Sequence, residues 1–258
     1  MTTRSQDSVT DVRRTVSSEE WQVRVDLAAC YRMVAHCGWD DLVFTHISAR
    51  VPGPRHHFLI NPYGFMFEEV TASSLVKVDL AGNKVMHSPH TINPAGYIIH
   101  SAVHEARADA HCVVHVHTRD GVAVSCQENG LLPISQIGLL ALSSLAYHDY
   151  EGIALNPAEK ARLVADLGRA NFMILRNHGL LTCGRTVPEA FLFIYALQRA
   201  CETQLAAQSS GVPLIRVPQL IVDGFRAQAE QVLNNIGADI AWPGVLRKLD
   251  RLDPSYRQ

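Results

Sequence analysis

Three histidines hold the most concentrated chemistry in this chain of 258 residues. His115 and His117 stand two apart in the run HCVVHVHT, and His178 follows the apolar segment FMIL in Arg176-Asn177-His178-Gly179. In an extended strand the side chains alternate, so Cys112, Val114 and Val116 face one way and His111, Val113, His115 and His117 the other. The apolar face implies packing, and the histidine face is expected to look onto a cavity or solvent. His115 and His117 lie side by side, roughly 7 Å apart at Cβ. Two imidazoles so placed can converge on one ion about 2.1 Å from each nitrogen. Zinc, iron and manganese all suit imidazole ligands. The pair alone is equally compatible with two exposed histidines on a surface strand. His178 sits where a loop leaves a buried strand, a place where function collects, and Gly179 permits a backbone conformation that aims a neighbour inward. A lone histidine there also reads as a turn residue, and spacing does not bring the two segments together.

Other reactive residues have plainer explanations. His100 and His104 are four apart and share a helix face, a metal-compatible spacing. His148 in AYHDYEG could line a pocket, whereas Asp149, Glu151 and Glu105 read as solvent-exposed carboxylates. Ser73-Ser74 suits a cap rather than a nucleophile, because no histidine–aspartate motif accompanies it. The six cysteines, Cys30, Cys37, Cys112, Cys126, Cys183 and Cys201, form no CxxC pair. They read as small hydrophobes in a reducing cytoplasm. There is no glycine-rich nucleotide fingerprint.

Short elements must position these groups. Ser17 and Glu20 have capping-box spacing and start a helix with Trp21, Val25, Ala28, Ala29 and Val34 on its apolar face, ended by Gly38. Strand-like runs follow at Leu42–Val51, Phe58–Asn61 and Leu75–Leu80, separated by Pro/Gly/Asn turns. Pro94 opens a helix with Tyr97, Ile98, Ala102 and Val103 inward. His111–His117 is a strand, and Leu139–Leu145 belongs to a helix. Asn156-Pro157 looks like an N-cap and first helical position, for a helix ending near Gly168. Phe172–Arg176 and Leu180–Cys183 are strands around the turn at Asn177-His178-Gly179. Thr186 and Pro188 open a long helix to about Gln208, and one more amphipathic helix lies near Phe225–Asn235. Several links are hairpin-short, so the sheet cannot be wholly parallel.

Composition sets the outer limits. A formal charge of −2 with 47% hydrophobic residues suits a soluble globular chain with a real core. The near-zero charge and scattered arginines argue against a nucleic-acid or membrane partner. No apolar run approaches the ~20 residues of a membrane span. The first 18 residues are polar and mixed in charge, read as a mobile arm without the apolar core of a signal peptide.

The ordered set GWDDLVFTHISARV, PYGFMFEEVTASSLVKVDL, NPAGYIIHSAVHEARADAHCVVHVHT, LLPIS, AYHDYEG and LRNHGLL resembles the class II aldolase/adducin family, nearest its adducin-like branch, over about Glu20 to Gly211. The resemblance implies a three-layer α/β/α sandwich around a mainly antiparallel, mixed sheet. It divides the chain into an arm (1–18), a family domain (19–211) and a C-terminal helical extension (212–258). It also implies that His115, His117 and His178 hold one divalent metal, with zinc first and manganese or iron as alternatives, in a cytoplasmic homo-oligomer, commonly a tetramer.

The chain departs from the family's sugar-phosphate aldolases at several points. The glutamate four residues before His100 is Gly96, and the two serines before it are Pro94 and Ala95. A Gly-Asn loop becomes Thr45-His46, a Thr-Gly pair becomes Tyr63-Gly64, and a tyrosine expected near Gln136 or Ile137 is missing. These losses argue against a sugar phosphate, since phosphate pockets favour backbone N–H nests and hydroxyls. His46, Tyr63 and Gln136 are the substrate-binding candidates. His46 and Tyr63 suit a carboxylate or an aromatic ring, although His46 also reads as a structural histidine. The catalytic proton donor or acceptor is left unassigned. The expectation is a lyase that cleaves a C–C bond, by retro-aldol or decarboxylation, in a non-phosphorylated oxo, hydroxy or aromatic acid. An iron-dependent oxygenase and a non-catalytic adducin-like oligomeric module are the alternatives.

Overall fold

The computed structural model describes residues 12–53, 56–152, 158–233 and 240–258. After a helical turn at 12–15 the chain runs α1 (Ser18–His36), β1 (His46–Arg50), β2 (Phe58–Ile60), β3 (Val76–Val78), α2 (Pro94–Ala106) and β4 (Cys112–Val116). It continues with α3 (Arg119–Ser125), α4 (Gln136–Leu142), β5 (Leu145–His148), α5 (Glu159–Leu167), β6 (Phe172–Leu175) and β7 (Gly179–Gly184). Three helices follow: α6 (Val187–Ser209), α7 (Gln219–Leu233) and α8 (Trp242–Leu252). The helix starts obey local chemistry. The hydroxyls of Ser17, Thr118, Ser135 and Thr186 each accept the backbone N–H three residues on, satisfying donors the helix leaves free.

The strands form one seven-stranded sheet in the order β3-β2-β1-β4-β7-β6-β5. Neighbours are antiparallel throughout except β5 and β6, which are parallel and joined through α5. Both faces are covered. Ile47, Ala49, Cys112, Val114, Val116, Phe172, Ile174 and Leu180 share the larger core with α1, α3, α4 and α6. On the opposite face Val113, Met173, Leu175, Leu181 and Cys183 pack with Ile99 and Val103 of α2 and Leu163 and Leu167 of α5. The result is the expected α/β/α sandwich on a mainly antiparallel, mixed sheet.

Several local expectations are corrected. The histidine face of β4 opens to solvent only at its ends: α2 and α5 bury Val113 and His115 in its middle, while His111 is exposed and His117 half-buried. The first strand is only His46–Arg50: Leu42 takes φ 48° and the preceding loop leaves Leu42 and Phe44 exposed. The helix at Leu139 stops at Leu142, and Leu145 opens β5, whose pairing with β6 outweighs the apolar run. Helix α2 turns Ile99, His100, Val103 and His104 inward and leaves Tyr97 and Ile98 only half-buried. Cys126 is exposed, while Cys30, Cys112, Cys183 and Cys201 are buried. A second C-terminal helix, α8, was not anticipated. Its Trp242 donates to Asp26 Oδ1 of α1 at 2.8 Å and enters the larger core. The N-cap expected at Asn156-Pro157 and most of the N-terminal arm fall outside the described residues.

One buried hydroxyl ties α1 to the sheet. Tyr31 Oη accepts from the N–H of Ile47 at 2.7 Å and of Asn61 at 3.1 Å. It lies 2.9 Å from Asn61 Oδ1 and also contacts the Ile47 carbonyl. The phenol thereby closes two donors at the ends of β1 and β2 that face the core. Tyr31→Phe removes it and strands both N–H groups, at a cost of about 1–3 kcal/mol. Urea unfolding checks this, and a midpoint equal to the parent's would refute the tie.

Candidate metal centre

Strand order assembles the three histidines. β7 lies between β4 and β6, with Val116 opposite Leu180 and His115 opposite Leu181. The β6–β7 turn that carries His178 therefore ends beside the last residues of β4. His115 is the inward residue of β4, and His117 continues the same alternation just before Thr118 caps α3. Asn177 takes the left-handed conformation (φ 54°) that lets so short a turn reverse the chain. Gly179, given that backbone role from sequence, acts by its small size instead. A Cβ there would lie 2.6 Å from the Val116 carbonyl oxygen and 3.1 Å from His117 Cδ2.

The imidazoles meet through one nitrogen each. His117 Nε2 is 2.9 Å from His115 Nε2 and 3.0 Å from His178 Nε2. Across the rings, His115 Nδ1 lies 2.9 Å from the Leu180 carbonyl and His117 Nδ1 3.0 Å from Asp41 Oδ2. Carbonyls and carboxylates only accept, so both rings carry a proton on Nδ1 when neutral, leaving Nε2 as a lone pair. Burial holds His178 down to about 4 and pushes His115 well below the usual imidazole value, with neighbouring histidines adding to both effects. Lone pairs 2.9 Å apart repel unless a positive charge sits among them. The convergence through Nε2, with Nδ1 anchored behind in two of the three rings, is the arrangement that imidazole metal ligands adopt.

The other candidates distribute differently. His46 of β1 pairs with His115, and their rings are 5.2 Å apart at their centroids. Tyr63 and Gln136 are exposed, and among the described residues neither hydrogen-bonds to the three histidines. His100 and His104 do not form a metal pair, because both turn to Ser48. His148 is buried; its Nδ1 bonds Asp166 Oδ2 at 2.7 Å, and its Nε2 lies 3.6 Å from Glu159 Oε1. Together with Tyr150 it lines a small recess beside His178. Sequence reasoning missed Asp41, whose only signal was its place in the loop before β1, and Ser48, which looked like an ordinary strand residue.

Burial of neutral imidazoles makes the fold acid-sensitive. Burial is the main cause holding His104 down to about 3 and His100 well below its usual 6.5. In the unfolded chain both take a proton near pH 6.5, whereas the folded chain excludes it until much lower pH. Their stability contribution is complete above about pH 6.5 and falls as pH drops, by at most about 1.4 kcal/mol per unit for each group. Chemical denaturation from pH 7.5 to 5.5 should show falling stability with more than one proton taken up on unfolding. A flat profile would contradict these neutral states.

Known proteins share this architecture. The family model for the class II aldolase and adducin N-terminal domain matches residues 25–205. A Pseudomonas aeruginosa protein described as an aldolase class 2 protein is 61% identical over 251 residues, covering 96% of each chain. Mouse alpha-adducin is 47% identical over 191 residues, which is 73% of this chain and 26% of that protein. The crystal structure of an aldolase II superfamily protein from Pseudomonas syringae superposes with TM-score 0.89 at 50% identity, covering 96% of this chain and 100% of that one. The L-fuculose 1-phosphate aldolase of Glaciozyma antarctica superposes with TM-score 0.79 at 26% identity, covering 93% and 94%. By sequence and by architecture, this chain belongs to the class II aldolase and adducin N-terminal domain family.

Proposed function

We propose that the chain is a metal-dependent lyase that cleaves a C–C bond in a small, non-phosphorylated oxo or hydroxy acid, with one divalent ion on His115, His117 and His178. The observation that carries this reading is the convergence of three imidazole Nε2 atoms, two of them made lone pairs by acceptors bonded behind them. A bound divalent ion, zinc first and manganese or iron next, supplies Lewis acidity toward a carbonyl or carboxylate oxygen at the position three histidines leave open. The protein's own part is orientation. The Leu180 carbonyl and Asp41 hold two rings in one tautomer, and β4 and the β6–β7 turn fix all three in register. The similarity to L-fuculose 1-phosphate aldolase supports C–C cleavage, whereas His46 and the missing side chain at Gly96 argue against the sugar phosphate itself.

A second reading, a non-catalytic oligomeric module, draws on the 47% identity to alpha-adducin and on the absence of any carboxylate at Gly96. Elemental analysis of protein purified without chelator or affinity metal separates the two. The lyase reading expects near-stoichiometric zinc, manganese or iron, lost in a His115→Ala/His117→Ala variant. Parent protein that is metal-free and refuses all three added ions sinks that reading and leaves the module. Asp41→Asn keeps the fold but weakens the hold on His117, and metal affinity measured by chelator competition should drop about 10- to 100-fold.

A further inference from the structure

Helix α2 lays His100 and His104 over the sheet face that carries His46 and Ser48, and the four side chains form one unbroken chain of hydrogen bonds. His104 Nδ1 lies 2.9 Å from the Ala110 carbonyl and His104 Nε2 2.7 Å from Ser48 Oγ. Ser48 Oγ lies 2.6 Å from His100 Nδ1, and His100 Nε2 2.8 Å from His46 Nδ1. A carbonyl only accepts, so His104 carries its proton on Nδ1 and its Nε2 must accept. Ser48 therefore donates to His104 and accepts from His100 Nδ1–H. That leaves His100 Nε2 bare, to accept from His46 Nδ1–H. Four bonds use the four protons that one serine and three neutral imidazoles possess, and none remains for His46 Nε2. All four residues are buried. A further proton would place a charge in a region without a facing carboxylate bond, which burial disfavours.

His46 Nε2 has no hydrogen-bond partner among the described residues, and its ring lies against that of His115. Gly96 makes room for it: a Cβ at that position would lie 2.3 Å from His46 Cδ2 and 2.7 Å from Nε2. The imidazole fills the space into which any side chain on residue 96 would project.

We propose that His46 is a specificity-determining residue, presenting a bare Nε2 as a hydrogen-bond acceptor to the molecule held at His115, His117 and His178. It selects substrates that offer an O–H or N–H there over those that offer a carboxylate or phosphate oxygen. This reverses the expectation that His46 suits a carboxylate, because two acceptors facing each other leave both unpaired. The selectivity rests on the ligand site proposed above, but the tautomer order does not. Ser48, His100 and His104 are positioning residues that act only through His46.

Long-range ¹H–¹⁵N correlation of histidine-labelled protein reads the tautomers directly and needs no substrate. The expected result is Nδ1–H at His46, His100 and His104, against the Nε2–H form that free imidazole side chains prefer. His46 found as Nε2–H overturns the proposal. Ser48→Ala removes the hydroxyl that orders the chain, freeing His100 to donate from Nε2 and shifting His46 toward Nε2–H. In zinc-loaded protein the affinity ratio of glycolate to acetate should then fall about threefold to tenfold. A ratio unchanged by Ser48→Ala overturns the selectivity even if the tautomers are as expected. Absence of metal uptake is detected separately by elemental analysis and leaves the tautomer measurement intact.

Discussion

Six imidazoles, from β1, α2, the end of β4 and the β6–β7 turn, gather on one side of a sheet that is covered on both faces, and the rest of the molecule answers to the problem of where their protons go. Each ring has two nitrogens, and burial disfavours charging His46, His100, His104, His115 and His178. Neutral rings can be satisfied only if every proton is matched to an acceptor. The fold supplies fixed reference points for that matching, the backbone carbonyls of Ala110 and Leu180 and the carboxylate of Asp41. These acceptors cannot change roles, so they set the direction of every bond downstream. The two ends of the system differ in outcome: one concentrates lone pairs on a single point, and the other leaves a single lone pair at His46.

Such an arrangement tolerates little slack, and small residues supply the clearance. Gly179 brings β7 against the Val116 carbonyl so that the turn carrying His178 can reach β4. Gly96 yields its side-chain space to the His46 ring. The antiparallel register of β1 with β4 puts His46 opposite His115 and Ser48 opposite Val113, on the face that α2 covers. A one-residue slip would turn both polar side chains into the larger apolar core. Tyr31 resists that slip from the other side by holding Ile47 and Asn61 together. The stability of the sheet and the geometry of the site are thus one problem in strand register.

Much of this was legible in the residues. Capping hydroxyls at Ser17 and Thr186 marked helix starts, and the alternation in HCVVHVHT identified both the strand and its two faces. The family motifs linked His178 to that strand, which no local pattern could do, because the link depends on β7 lying between β4 and β6. Three features stayed hidden for physical reasons. The burial of the histidine face depends on α2 and α5, distant in sequence from one another. The inward face of α2 was misjudged because Tyr97 and Ile98 look more apolar than His100 and His104, yet hydrogen bonding to Ser48 makes the histidines the buried pair. Asp41 sits in an irregular loop, where neither periodicity nor spacing forecasts its contact with His117.

Gly96 and His46 are best understood as one substitution rather than two. A carboxylate projecting from position 96 and an imidazole at position 46 compete for the same volume, since the Cβ of the first would overlap the ring of the second. Both fit only if the His46 ring moves from its place, so the two positions are coupled. A carboxylate would bring a negative charge to the side of the sheet that carries the three histidines and Asp41. The imidazole brings none, and hydrogen-bond order makes it an acceptor without charge. On the metal-dependent reading, His115, His117 and His178 would hold the ion with Asp41 behind His117, and the ion would attract an anionic oxygen of a ligand. A donor on the same ligand would be left for His46. On that reading, the overlap between residues 46 and 96 decides which group a ligand would meet beside the three histidines, a neutral acceptor in place of a carboxylate.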